Sequence, residues 1–233
     1  MIKTVILDFG GVLAYPISGN WFIPYDLFKI AGFGNAVKLF FRKKKLNGAF
    51  IKGNEYLSEN HKLTSEDEEY EQFCQFYRIV FRELKLGDDG KKIMKLAHSK
   101  VFDDYQLHVY DDAADGIREL KQKYRVMILS DTWPSTKRIL KNNGILELLD
   151  GLILSCDYNE TKAGGKLFET AVSELNLVPG ECVFVDDSRK NLENAEKTGF
   201  HPVLMDRRNE AAETAYPVVH CLADIEGIAA EIK

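Results

Sequence analysis

Asp8 ends an apolar run, Val5, Ile6 and Leu7, and is followed by Phe9, Gly10 and Gly11. A carboxylate carried by the end of a buried strand into a glycine-rich turn is suited to nucleophilic, covalent catalysis. Three other polar groups stand in comparable places. Ser130-Asp131-Thr132 follows "RVMIL", and Asp186-Asp187-Ser188 overlaps the end of "CVFVD". Lys162 precedes two glycines in "ETKAGGKLF", just past "GLILS". Together they offer a nucleophile, a hydroxyl, a positive charge and an acidic pair, a set suited to handling an anionic group.

The elements that must position them read as alternating strands and helices. Strand-length apolar runs lie at 4–9, 125–130, 151–155, 182–186 and 202–205. None alternates with polar residues, which fits strands covered on both faces. Helical patterns lie between them. Ala113 to Tyr124 is the first, and Pro134 opens a second, ahead of Ile139, Leu140 and Leu146. Leu167, Phe168, Val172 and Leu175 form a third stripe; Leu192 and Ala195, with Gly199 beyond, form a fourth, and 222–232 a fifth. This order predicts an α/β fold, a doubly wound, Rossmann-like parallel sheet with right-handed crossovers. In such a sheet ligands bind beyond the carboxyl ends of the strands, where all four polar groups fall.

No buried strand is expected between about residues 15 and 105. Helical stretches fill that interval: "PYDLFKIAGF", "AVKLFFRKKKL" and "SEDEEYEQFCQFYRIVFREL", the last with Ser65 as its N-cap. The expected organisation is a core of residues 1–14 and 106–233, with a helical subdomain, 15–105, inserted after the first strand.

The order of motifs resembles that of the haloacid dehalogenase-like hydrolase superfamily: strand-Asp, strand-Ser, a lysine, then an acidic pair before a helix. "FVDDSRKNLENAEKTGF" follows the family's fourth motif closely, and "DFGGVL" resembles the branch with sugar-1-phosphatases and the phosphatase domain of epoxide hydrolases. The resemblance covers the core, and the helical insert matches the family's helical cap in placement. It implies that Asp8 attacks phosphorus and forms an aspartyl-phosphate that water hydrolyses. Ser130 and the backbone N–H of Asp131 would hold a phosphoryl oxygen at the start of a helix, and Lys162 would neutralise charge in the transition state. Three aspartates in one pocket need a cation, and hard oxygen ligands point to Mg²⁺. The implied metal set is Asp8, the Gly10 carbonyl, Asp186 and Asp187.

This chain departs from the family at two places. Members commonly carry a second aspartate, an acid–base group, two residues after the first, where this chain has Gly10. Gly10 keeps a carbonyl for the metal but loses proton transfer worth roughly 10²–10⁴-fold in rate. The gap suits a phosphatase whose leaving group needs little protonation, such as an anomeric sugar phosphate or an acyl phosphate; Asp131, Tyr15 or His61 are alternative acids. Two other readings remain open: a metal-free 2-haloacid dehalogenase with Asp8 attacking carbon, and a non-catalytic small-molecule-binding protein on the same fold. The second departure is Ala163-Gly164-Gly165 in place of Pro-Asp-Pro, which predicts a looser loop around Lys162.

The helical insert would choose the substrate, with the basic run at 42–45 and Trp21, Phe22, Tyr25 and Phe28 as candidates, and Trp133 at the entrance. A net charge of −5 and a pI near 5.6 argue against nucleic acid as a default partner. Small phosphorylated substrates and a monomer or homodimer are expected. The four cysteines form no CxxC pair, and Cys156 and Cys182 read as buried thiols. "MIKTVILDF" lacks secretory-signal features and no run reaches membrane-spanning length, so a cytoplasmic location is expected.

Overall fold

The first strand, β1 (Thr4–Leu7), has all four side chains buried, as an apolar run without alternation requires. The computed structural model describes residues 1–32, 43–210 and 213–232. Two three-residue strands, β2 (Ala14–Pro16) and β3 (Leu107–Val109), make a separate two-stranded sheet. The main sheet continues with β4 (Arg125–Ser130), β5 (Gly151–Leu154), β6 (Cys182–Asp186), β7 (His201–Met205) and β8 (Val218–Val219). Its order is β5-β4-β1-β6-β7-β8, with parallel pairing throughout.

β1 is therefore the switch point. From it the chain winds outward through β4 and β5, then returns to β1's other side through β6. Leu7 pairs with Ile128 on β4 and Val185 on β6, so Asp8 comes level with Asp186 on the neighbouring strand. Two carboxylates from distant parts of the sequence are thereby brought to one edge.

The helices between the strands bury their apolar stripes against the sheet. Leu167, Phe168 and Leu192 join Ile6, Met127, Leu129 and Phe184 in one core cluster, with the Phe168 ring edge-on to Phe184 at 5.1 Å. Helix 189–198 ends at Gly199, whose φ of 94° suits a left-handed C-terminal stop. The helix after Pro134 runs only over Ser135–Asn142. Gly144, at φ 65°, stops it as the Ile145 N–H turns back to the Leu140 carbonyl, so Leu146 falls in a separate 3₁₀ turn rather than on the helix stripe. Cys156 and Cys182 are buried free thiols.

The chain divides into two compact units, residues 1–15 with 109–233, and residues 16–108. The second contains helices Leu27–Ala31, Lys43–Glu59, Glu66–Glu83 and Gly90–Phe102. Ser65 caps the third of these through the Glu68 N–H, four acidic residues fill its first turn, and Phe73, Phe76, Tyr77 and Phe81 face inward. The 36–46 helical stretch and the basic run fall partly outside the described residues, Arg42 among them. No helix of the described residues is long and apolar enough to cross a membrane.

Candidate active site

Lys162 is the centre of the site. Its side chain is 1% exposed, and its Nζ lies 2.8 Å from Asp8 Oδ1 and 2.6 Å from Asp186 Oδ2. A lysine almost never reaches such burial unpaired. Burial alone would push the ammonium's pKa down, but Asp8, Asp186 and Asp131 outweigh it and hold it well above the ordinary lysine value. The ring of Phe184 lies under it at 5.7 Å.

The loop around Lys162 is pinned, contrary to the looseness expected from Ala163-Gly164-Gly165. The Lys162 N–H donates to Asp131 Oδ1 at 2.9 Å, and the Asn194 amide donates to the carbonyls of Lys162 and Ala163, each at 3.1 Å. Asn194, on the helix that follows the acidic pair, supplies the restraint that prolines would otherwise give.

Asp8 lies one residue beyond β1. Its N–H continues the ladder to the Val185 carbonyl at 2.9 Å, and its Oδ1 accepts the Phe9 N–H at 2.8 Å. The turn that follows folds tightly: the Leu13 and Ala14 N–H groups both donate to the Phe9 carbonyl, and Gly11 N–H donates to that of Ala14. Gly10 is half-buried and bridges to Ala14. Gly11 has a φ of 71°, and a Cβ there would lie 2.1 Å from Asp187 Oδ2. The second glycine is thus the one the geometry demands, because Asp187's carboxylate occupies the space a side chain would need.

Asp186 is fully buried. Its Oδ1 accepts the Ser188 N–H at 2.7 Å, and Asn191 donates to both its oxygens at 3.1–3.2 Å. Burial pushes its carboxyl up, to about 7, against the pull of Lys162. Among the described residues its hydrogen bonds all come from donors, Lys162, Ser188 and Asn191, so the ionised form is the one these bonds hold, against the charge of Asp8 nearby. Asp187 reaches solvent, yet the surrounding protein removes enough of its water, with Asp8's charge adding, to raise it to about 6. One oxygen from each of Asp8, Asp186 and Asp187 can be chosen so that all three lie within 4.8 Å of one another. Such a group of hard donors could hold a divalent cation.

Ser130 is buried and ends β4 at the same sheet edge. The helix beyond it starts only at Ser135, so Asp131 stands in the connecting turn and not in a first helical turn. Its side chain holds the Lys162 backbone, and its carboxyl is raised, first by burial and then by Asp8, with Lys162 opposing. Trp133 is half-buried. The Tyr15 ring packs against Tyr110 at 5.0 Å. His61 lies in the helical unit, where burial pushes its imidazole down and favours the neutral form. Of the aromatic candidates there, Trp21 is half-buried and Phe22 packs on Phe76, while Tyr25 and Phe28 are exposed.

A parallel sheet gathering an aspartate, a buried lysine and an acidic pair at its switch point is the scaffold of the haloacid dehalogenase-like hydrolases. The chain belongs to that family, whose model matches residues 2–199. Its relatives include both a phosphatase and a dehalogenase. Enolase-phosphatase E1 of Shewanella loihica is 25% identical over 125 residues, covering 50% of this chain and 53% of the relative. The (S)-2-haloacid dehalogenase 4A of Burkholderia cepacia is 29% identical over 118 residues, 49% of this chain and 51% of the relative. The chain spans about half the length of these curated relatives. The solved L-2-haloacid dehalogenase of Xanthobacter autotrophicus shares the fold over 100% of both chains, with a TM-score of 0.69 and 18% identity.

Proposed function

We propose that this hydrolase is a Mg²⁺-dependent phosphatase acting on a small phosphorylated metabolite, with an anomeric sugar phosphate as a fitting substrate. One observation carries the reading. Among the described residues, four carboxylates, those of Asp8, Asp131, Asp186 and Asp187, face one buried cation, Lys162. Four negative charges against one positive leave a formal −3, far more than attack at carbon requires, and a divalent cation offsets it.

Asp8 attacks phosphorus in line, breaking the bond to the leaving oxygen, and water then cleaves the aspartyl-phosphate. Lys162 neutralises the carboxylate and the incoming phosphoryl group, and Asp186 holds Lys162 in place. Ser130 and the backbone around Asp131 receive a phosphoryl oxygen. Asp8, the Gly10 carbonyl and Asp187 would hold Mg²⁺, while Asp186, whose oxygens already accept from Lys162, Ser188 and Asn191, would reach it through water. When bound, the ion shields the charges of nucleophile and phosphate from each other. The helical unit at 16–108 is read as the cap that selects the substrate.

The test is turnover. Mg²⁺-dependent release of p-nitrophenolate from p-nitrophenyl phosphate is expected, with none from a chelated sample. Metal-independent chloride release from 2-chloropropionate, without phosphatase activity, would move the reading to a dehalogenase; silence with both would leave a binding protein.

Gly10 makes a second prediction. With no carboxyl to protonate the leaving oxygen, rates should fall steeply from aryl to alkyl phosphates. Gly10→Asp is expected to raise turnover of alkyl phosphates by roughly 10²-fold and that of p-nitrophenyl phosphate much less. Equal effects on both, read from initial rates, would mean that another group already supplies the proton.

Metal binding should also depend on pH. A carboxyl raised to about 6 keeps its proton below that pH, and the proton competes with the ion. Mg²⁺ affinity is therefore expected to rise about 10-fold from pH 5 to pH 7, as measured by calorimetric titration. The same shift means that the metal-free fold holds this proton more tightly than the unfolded chain. Its stability contribution falls as pH rises from about 4 toward 6, and bound Mg²⁺ reverses that fall.

A further inference from the structure

Arg207 lies just past β7, far in sequence from the four motifs, yet its side chain is only 9% exposed. Its Nε and Nη2 both donate to the Val12 carbonyl, at 3.1 and 2.7 Å. Its Nη1 donates to Asp112 Oδ2 at 2.8 Å, and that oxygen also accepts the Leu222 N–H at 3.0 Å. The guanidinium stacks over the Tyr110 ring at 4.2 Å, and the Tyr110 N–H donates to the Leu13 carbonyl at 2.9 Å. Three separated segments, 110–112, Arg207 and Leu222, thus close on the turn that follows Asp8. Among the described residues, the turn's own hydrogen bonds use the carbonyls of Phe9 and Ala14, while the carbonyl of the fully buried Val12 is taken by Arg207.

We propose that Arg207 is a positioning residue for the metal side of the site, fixing the 9–14 turn in the shape that lets Gly11 receive the Asp187 carboxylate. The link is short: Val12, which Arg207 clamps, directly follows Gly11, against which Asp187 packs with no room for a Cβ. If the turn relaxes, the Gly10 carbonyl and Asp187 lose their fixed separation. A lysine could keep the charge and one bond to Val12, but not the fork that reaches Val12 and Asp112 together, nor the flat stacking on Tyr110.

The proposal rests on the Mg²⁺ reading, so its test reads metal binding and not only activity. Mg²⁺ is titrated calorimetrically into metal-stripped wild type, Arg207→Met, Arg207→Lys and Asp112→Asn, and the melting temperature of each is measured without metal. The dissociation constant is expected to rise at least about 10-fold in Arg207→Met and by less in Arg207→Lys and Asp112→Asn, in keeping with partners behind a metal's ligands. The KM for p-nitrophenyl phosphate at saturating Mg²⁺ should stay within about two-fold of wild type, since no phosphate contact is touched. If Arg207→Met does not fold, the two milder variants carry the measurement. Lower melting temperatures with unchanged Mg²⁺ affinity would overturn the proposal alone and leave Arg207 a purely structural clamp. A wild type that binds no Mg²⁺ would overturn the metal reading and this proposal with it.

Discussion

Asp8→Asn is expected to lower turnover of p-nitrophenyl phosphate by more than about 10³-fold while leaving the protein folded. Asparagine has the shape of aspartate and can still accept the Phe9 N–H through its amide oxygen. Lys162 remains paired with Asp186 at 2.6 Å, so no buried cation is stranded. What disappears is the anionic oxygen that must bond to phosphorus, and an amide is a poor nucleophile. Because the change also removes one charge from a crowded group of carboxylates, the melting temperature of the metal-free variant should equal or exceed that of wild type. Initial rates and a thermal melt on the same preparation give both readings. Activity within ten-fold of wild type would sink Asp8 as the nucleophile.

Lys162→Met should damage both activity and stability. Methionine fills a similar volume, so the effect is one of charge. Asp8 and Asp186 are 6% and 0% exposed, and Lys162 is the cation between them. Breaking a buried ion pair from one side costs about 3–5 kcal/mol, because the remaining charge is left without compensation. Asp186 would then be raised further and take up a proton, so the variant recovers stability as pH falls. The deficit against wild type is expected to be larger at pH 7.5 than at pH 5 in chemical denaturation curves. An equal deficit at both would show that lost packing, not lost charge, is responsible. Turnover should fall as well, since Lys162 is the group that neutralises the phosphoryl charge.

These predictions rest on features of unequal visibility. The five longer strands could be read as buried apolar runs, and Ser65 and Gly199 marked helix ends through ordinary capping chemistry. β8, with two residues, and the β2–β3 pair, with three each, are too short to carry any periodicity. The stop at Gly144 was hidden because Leu146 continues the apolar spacing past it. Gly11 was visible as a glycine, but not as the one that a neighbouring carboxylate makes obligatory. Asn194 and Asp131, which pin the Lys162 loop, look like ordinary polar residues until their partners, about 31 residues away along the chain, are known.

By itself the sequence determined the kinds of group available and where they sit: Asp8, Ser130 and the Asp186-Asp187 pair at strand ends, and Lys162 in the loop past the 151–155 run. Those follow from local rules, since burial on both faces of a strand and the punctuation by glycine are written within a few neighbouring residues. Tertiary structure alone decided which of those groups touch. It joined Lys162 to Asp8 and Asp186, set Asp187 against Gly11, and brought Arg207 across 195 residues to the Val12 carbonyl. Such contacts depend on strand order and register, which no short stretch of chain encodes, and for that reason the loss of a carboxyl at Gly10 is legible in one line of sequence while the clamp that holds its turn is not.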